Sequence, residues 1–434
     1  MRFLLALTIA LFISACSEPV TSDGQVIGGS TKTVVNLHTF RQQEAKLWQA
    51  INEQNLIDGI HVQVNLLSSE DYEALLRKTM PRGQIDILGA KSGALWFDPF
   101  VQSGMLVSMD QLGITLDNMN GRAGVVAWDG IEYAVPNAIQ LQSMIYNQTE
   151  LQALGFAAAP QTVAEFDQLM EAAQNANQVG LALDGKDGWY LNQVANEVVM
   201  AGWISDATQQ KLINGTACFT DAEVVSAFER VIAMIPNMHD DPLKIDYGAM
   251  RTPVVTGDAI GMMDGAWTTG VWVVQATGGL YDVNPNFKPL YGPFPGPNNK
   301  IVAHPDGGYA VSAYSTKQSS AAKVLEFATT AKFAELFVEQ IGSDIPAYNK
   351  PFNIPAGTHP IIEKVIKQMP NAAAVEPFLA PSLNEKQPTY GALSAAAWQG
   401  MLAGTYTAQQ AAEHIQKGLN SWGYIGASNC ALAK

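Results

Sequence analysis

The stretch "TVVNLHTFRQQEAKLWQAIN", Thr33 to Asn52, starts as a short apolar strand and continues with Glu44, Leu47, Trp48 and Ile51 at helical spacing. Working outward from it, "IHVQVNLL" from Ile60 alternates, with Ile60, Val62, Val64 and Leu66 on one face. A helical stretch from about Ser69 to Lys78 and the strand "IDILGA", Ile85 to Ala90, follow. Strand, helix, strand, helix, strand is the order of a parallel α/β sheet. Ligands of such sheets sit at the carboxyl ends of the strands, where the loops hold His38, Thr39 and Phe40, then Ser68 and Ser69, then Ala90, Lys91 and Ser92.

Upstream the sequence changes kind. "MRFLLALTIALFISAC" has one charge at Arg2, an apolar run from Phe3 to Ile13, and small residues before Cys16. It is too short to span a bilayer comfortably and reads as a secretory signal over residues 1–15. Small residues followed by cysteine resemble a bacterial lipobox, which implies cleavage after Ala15 and lipid on Cys16; ordinary signal cleavage beside an incidental cysteine is the alternative. Residues 16–32 are small, polar and glycine-containing, as a tether requires. Cys218 and Cys430 remain. They either pair in an oxidising compartment or stay as two separate buried thiols.

The totals bound the rest. At 434 residues two lobes are expected, and 47% hydrophobic with 15% charged residues describes a well-buried protein. A net charge of −15 without a basic run argues against nucleic acid or an anionic membrane surface as partner. Downstream of Val135, "PQTVAEFDQLMEAAQ" is a helix with a Thr162–Glu165 capping box and a Phe166, Leu169, Met170, Ala173 stripe. Further helices are read over Asp221 to Ile235, around Ala321 to Ala328, and from Ala408 to Leu419. "NPNFKPLYGPFPGPNNK", Asn284 to Lys300, carries five prolines and reads as a connection. HExxH, CxxC and GxSxG motifs are absent, and no metal or cofactor is expected. "GLALDGKD", Gly180 to Asp187, has phosphate-loop spacing, but Asp187 stands where a magnesium-binding hydroxyl belongs.

In "GDAIGMMDGAWTTG", Gly257 to Gly270, a strand turns on glycine and enters a helix beside Trp267. A helix N-terminus next to an aromatic face suits a small polar ligand, while a core tryptophan is the plain alternative.

Taken together, several segments resemble the extracellular solute-binding proteins of bacterial ABC importers, in the carbohydrate-binding, family 1-type group. Gly257, Ala259, Met262 or Met263, Gly265 and Trp267 resemble its Gly-x-Ala-x-Met-x-x-x-Gly-x-Trp pattern. "WDGIEYAVPNAIQLQSMIYNQTELQALGF", the Pro-x-Thr-x-x-Glu-Phe helix, "IDILGAKSGALWFDPFVQSGMLVSMD", "DGGYAVSAYSTKQSSAAKVLEFATT" and "GSDIPAYNKPF" are similar to its other segments, in order, over about Val34 to Phe352. One departure is Tyr348, where the group often has Arg.

The resemblance implies a type II-like periplasmic binding protein fold: two α/β lobes with the ligand between them. The first lobe would take residues 33–137 with 301–350, the second 138–300 with 351–434, and the chain would cross near Val135 to Gln140, near Gly292 to Ile301 and near Tyr348 to Pro355. It also implies that Trp267 faces the cleft and stacks on a sugar ring. A pyranose has an apolar C–H face and an equator of hydroxyls, so its site needs flat aromatics and dense polar groups. The candidates are Trp267, Trp96, Phe97, Trp189, Tyr190, Tyr309 and Tyr348 with His38, Glu44, Asp98, Asn137, Gln140 and Asp264, each also readable as core or surface. The expected function is the capture of a neutral or N-acetylated di- or oligosaccharide and its delivery to a membrane permease. The protein would be a monomer on the periplasmic or extracellular face, touching the membrane through its lipid only. The alternatives are a glycosidase-like extracellular enzyme, or a binding protein for a polyamine or polyol phosphate.

Overall fold

A computed structural model of the chain describes residues 26–27, 30–68, 71–91, 99–120, 127–128, 131–268, 284, 286–342, 344–358, 362–363, 366, 373–375 and 380–432. The leader, Cys16, Trp96, Phe97 and Asp98 lie outside the described residues. Strand β1 (Thr33–Thr39) is followed by α1 (Glu44–Glu53), β2 (Ile60–Leu66), α2 (Tyr72–Thr79) and β3 (Ile87–Ala90). β1 pairs in parallel with both β2 and β3. Helix α1 forms because Glu44, Leu47, Trp48 and Ile51 recur on one side, and all four are buried. The alternation of β2 holds only for its first half. Ile60 and Val62 are buried, but Leu66, expected on the same face, is 48% exposed at the end of this edge strand.

Strand β4 (Ala134–Asn147) is 14 residues long, about 46 Å at 3.3 Å per residue. It leads to α3 (Val163–Asn175), β5 (Val179–Ala182), α4 (Ala222–Met234), α5 (Tyr247–Thr256), β6 (Ala259–Gly265) and β7 (Ile301–Ser312). The spatial order is β5-β6-β4-β7-β3-β1-β2 within a sheet of 11 strands among the described residues. The first part of β4 runs antiparallel to β7, from Ala134 opposite Ala310 to Gln142 opposite Val302. Its second part runs antiparallel to β6, from Gln142 opposite Gly265 to Tyr146 opposite Gly261. Inside the proline-rich connection, Pro289–Gly292 is a short strand on β4, with proline at its start where a ladder donor is dispensable.

The two largest apolar cores divide along β4. One gathers Val35, Leu37, Trp48, Ile139, Leu141, Val324 and Phe333; the other Met144, Tyr146, Phe166, Leu181, Val231 and Trp398. The capping box of α3 is present: Thr162 Oγ1 accepts from the Glu165 N–H, and Glu165 accepts from the Thr162 N–H. Such a cap contributes about 1 kcal/mol.

The C-terminal helices α6 (Tyr390–Leu402) and α7 (Ala408–Asn420) pack into the second core, and the segment after them is bonded to it by Cys218–Cys430, Cα atoms 5.4 Å apart and 212 residues apart in sequence. Closing so long a loop restricts the unfolded chain. Replacing both cysteines with serine is expected to lower unfolding stability by about 2–4 kcal/mol, read as an earlier denaturant midpoint. Coincident midpoints would contradict this.

Candidate functional site

Helix α5 ends at Gly257, in the left-handed region at φ 92°, and turns straight into β6. A helix that reverses into a strand puts its N-terminus beside the strand's carboxyl end. Tyr247 therefore stands next to Asp264. Gly265 is glycine for a steric reason, since a Cβ there would overlap the six-membered ring of Trp267 folded back over it. Trp267 is half-buried in the turn that follows β6, and residues 269–283 lie outside the described residues. The Trp267 indole N–H donates to Tyr247 Oη. Tyr247 Oη donates to Asp264 Oδ1 at 2.9 Å, which also accepts the Gly265 N–H at 2.8 Å. Asp187 Oδ2 accepts the Tyr247 N–H at 3.1 Å.

Trp189 meets Tyr247 edge-on at 4.8 Å between ring centroids, and the Arg251 guanidinium lies 4.3 Å over the same ring. Trp189 is 44% exposed. Its neighbour Tyr190 is fully buried and donates to Met263 O at 2.7 Å, so here it supports the wall and offers no free face. Burial pushes the Asp264 carboxyl up to about 6, against the opposing pull of Thr268, the Gly265 N–H, Arg251 and Tyr247. Its Oδ2 is buried without a hydrogen-bond partner among the described residues. Asp184, just past β5, accepts the Lys186 and Asp187 N–H groups at 3.0 and 2.9 Å, and burial pushes it up to about 7.

The first-lobe candidates converge on Arg41. Its guanidinium pairs with Asp306 Oδ2 at 2.9 Å and lies 3.7 Å from Glu44 Oε1. Glu44 Oε1 accepts from Tyr309 Oη at 3.1 Å and Asn137 Nδ2 at 3.3 Å, and Gln140 Nε2 donates to Asp306 Oδ1 at 2.5 Å. Burial raises the Glu44 carboxyl, opposed by Arg41, Thr39 and Tyr309. Burial works to lower the Arg41 pKa, but Asp306, Glu44 and their neighbours raise it on balance. Glu44, Asn137 and Tyr309 are buried, whereas Gln140 is half-exposed. His38 is half-buried and its pKa is lowered by burial, opposed by Asp86. The Arg41 and Lys91 cations lie 4.6 and 4.7 Å from the Phe40 ring centre. Tyr348 stands apart from this network, half-buried against the first core and edge-on to Phe352 at 6.4 Å.

Strand β4 ties the two clusters together. Asp264 lies opposite Ser143, and the Ala266 N–H bonds Leu141 O, while Asn137 and Gln140 belong to the Arg41 network. From Gln140 to Ser143 is three residues, about 10 Å. Tyr247, Arg251, Arg41 and Asp306 are not among the site residues that the sequence marks. An aspartate N-cap at Asp246 before an aromatic was a faint signal for the first; the Asp before the Gly307–Gly308 pair was one for the last.

A carboxyl raised in the folded state contributes stability that is complete below the unfolded value and is lost as pH rises through about 6. Wild type is therefore expected to gain on Asp264→Asn as pH falls from 8 to 5, by about 1.4 kcal/mol. Paired urea titrations check this; Asp184 titrates in both proteins and cancels. A pH-independent gap would contradict it.

A family profile described as "Bacterial extracellular solute-binding protein" matches residues 41–335. Among solved structures the chain is similar to a chitin oligosaccharide binding protein, at 20% identity over 90% of this chain and 98% of that one, with a TM-score of 0.71. It is also similar to apo RafE from Streptococcus pneumoniae, at 16% identity over 92% and 100%, TM-score 0.72. The maltose/maltodextrin-binding domain MalE from Bdellovibrio bacteriovorus, bound to maltotriose, is similar at 15% over 90% and 99%, TM-score 0.63. A search of curated protein sequences finds no match. These likenesses share the two-lobed solute-binding fold, and with the profile spanning more than half of its length, this chain belongs to the bacterial extracellular solute-binding protein family.

Proposed function

We propose that the protein is the solute-binding component of an ABC importer that captures a neutral or N-acetylated di- or oligosaccharide and hands it to the membrane permease. The observation that carries this reading is the grouping of Trp189, Tyr247 and Trp267 at strand ends that β4 joins to the Arg41–Gln140 network. Flat rings beside hydroxyl-binding groups match the two surfaces of a pyranose. Structural relatives named for chitin oligosaccharide and maltotriose are in keeping with it. In the first lobe a phosphorylated solute is disfavoured, because Arg41 is engaged by Asp306 and Glu44, and Arg77 by Glu73. A polyamine or a glycosidase mechanism needs several carboxylates within reach of the solute; Glu44, Asp184 and Asp264 are buried, which leaves one half-buried carboxylate in each cluster, Asp187 and Asp306.

Among the described residues no helix is long and apolar enough to cross a membrane. The anchor we propose is lipid on Cys16, holding a monomer at the outer face. Cys16→Ser should abolish palmitate incorporation, and equal labelling of the variant would remove the anchor.

A thermal-shift screen of mono- and oligosaccharides is expected to find a saccharide that raises the melting temperature with concentration. Calorimetry should then show Trp267→Ala weakening that ligand by about tenfold or more, with the fold retained. Stabilisation by polyamines alone, or normal affinity in the variant, would contradict the reading.

A further inference from the structure

We propose that Tyr247 is the positioning residue of this site: its phenol bridges the Trp267 indole to the Asp264 carboxylate and so holds the indole in one orientation for the solute. The proposal rests on the stacking role given to Trp267 above.

An indole N–H only donates, and a phenol carries a single proton. With Trp267 donating to Tyr247 Oη, the phenol's own proton is committed to Asp264 Oδ1. The chain of bonds therefore has one direction, indole to phenol to carboxylate, and ends on an acceptor of high capacity. Burial pushes the Tyr247 phenol well up, which keeps it a donor. The Tyr247 ring is fixed in turn by Trp189 at its edge, Arg251 over its face and Asp187 on its backbone N–H. Gly265 leaves the space in which the Trp267 ring lies. Without the phenol, the indole would keep that space but lose the bond that sets its angle.

Tyr247→Phe keeps the aromatic packing and removes only the bridge. The test uses full-length protein labelled with 15N-tryptophan, with the Trp267 indole signal assigned by its loss in Trp267→Phe. In the ligand-free protein, Tyr247→Phe is expected to move that signal and to speed its exchange with solvent by about tenfold, the factor that one net hydrogen bond supports. An indole signal and exchange rate unchanged in the variant would overturn the proposal. Should Tyr247→Phe fold poorly, wild type decides: its indole signal should shift as Asp264 titrates and stop doing so in Asp264→Asn. Arg251, Tyr190, Asp184 and Asp187 face the same carboxylate or its partners and remain in both proteins, so an inflection that persists in Asp264→Asn overturns the relay. The saccharide that binds wild type should bind Tyr247→Phe about tenfold more weakly. A shifted indole in a protein whose wild type binds no saccharide supports the positioning and overturns the sugar reading instead.

Discussion

Strand β4 has to serve two lobes with one piece of backbone, and the rest of the molecule follows from that. Of its 14 residues only Gln140 is not buried. Yet its middle carries Asn137, Gln140, Gln142 and Ser143, polar groups whose burial costs free energy unless they are paired. A strand meant only to hold a core would place apolar residues there. The polar run falls where the two largest apolar cores divide, between Leu141 and Met144, and next to the carboxyl end of β6. The same residues that join the lobes thus supply part of the polar lining between the two clusters.

The two clusters solve different problems. Around Arg41 one guanidinium is shared by two carboxyl groups: Asp306 sits beside Gly307, whose φ of 124° and close approach to Ala90 O exclude a side chain, and this bend aims the carboxylate at the guanidinium. Around Trp267 the aromatic rings dominate, and one carboxylate is held among them at the cost of a raised pKa. The first arrangement gives a rigid polar wall; the second gives flat apolar surface with its polar edges already spoken for.

Much of this was legible before the structure. The order of elements from Thr33 to Ala90 reads directly because α1 and its neighbouring strands each carry their own apolar pattern. The capping box of α3 is a local signal and survives intact. Trp267 was marked by its spacing from Gly265, and the steric overlap over Gly265 is the physical content of that spacing. Tyr247 was not legible, since α5 contains Pro253 and has no clean apolar stripe to mark its first residue. Nor could sequence choose between Trp189 and Tyr190, because consecutive helical residues point about 100° apart and only the packing decides which one faces inward. Leu66 and Asp306 depend on a strand end and a bulge, features of pairing that no single segment contains.

The proposed function places the solute against Trp267 at the carboxyl end of β6. A crystal structure of the protein with a bound oligosaccharide tests it most directly. The expected result is a sugar ring stacked on the Trp267 indole, with hydroxyls reaching polar side chains of β4. A saccharide bound elsewhere, with Trp267 packed only against protein, would contradict it.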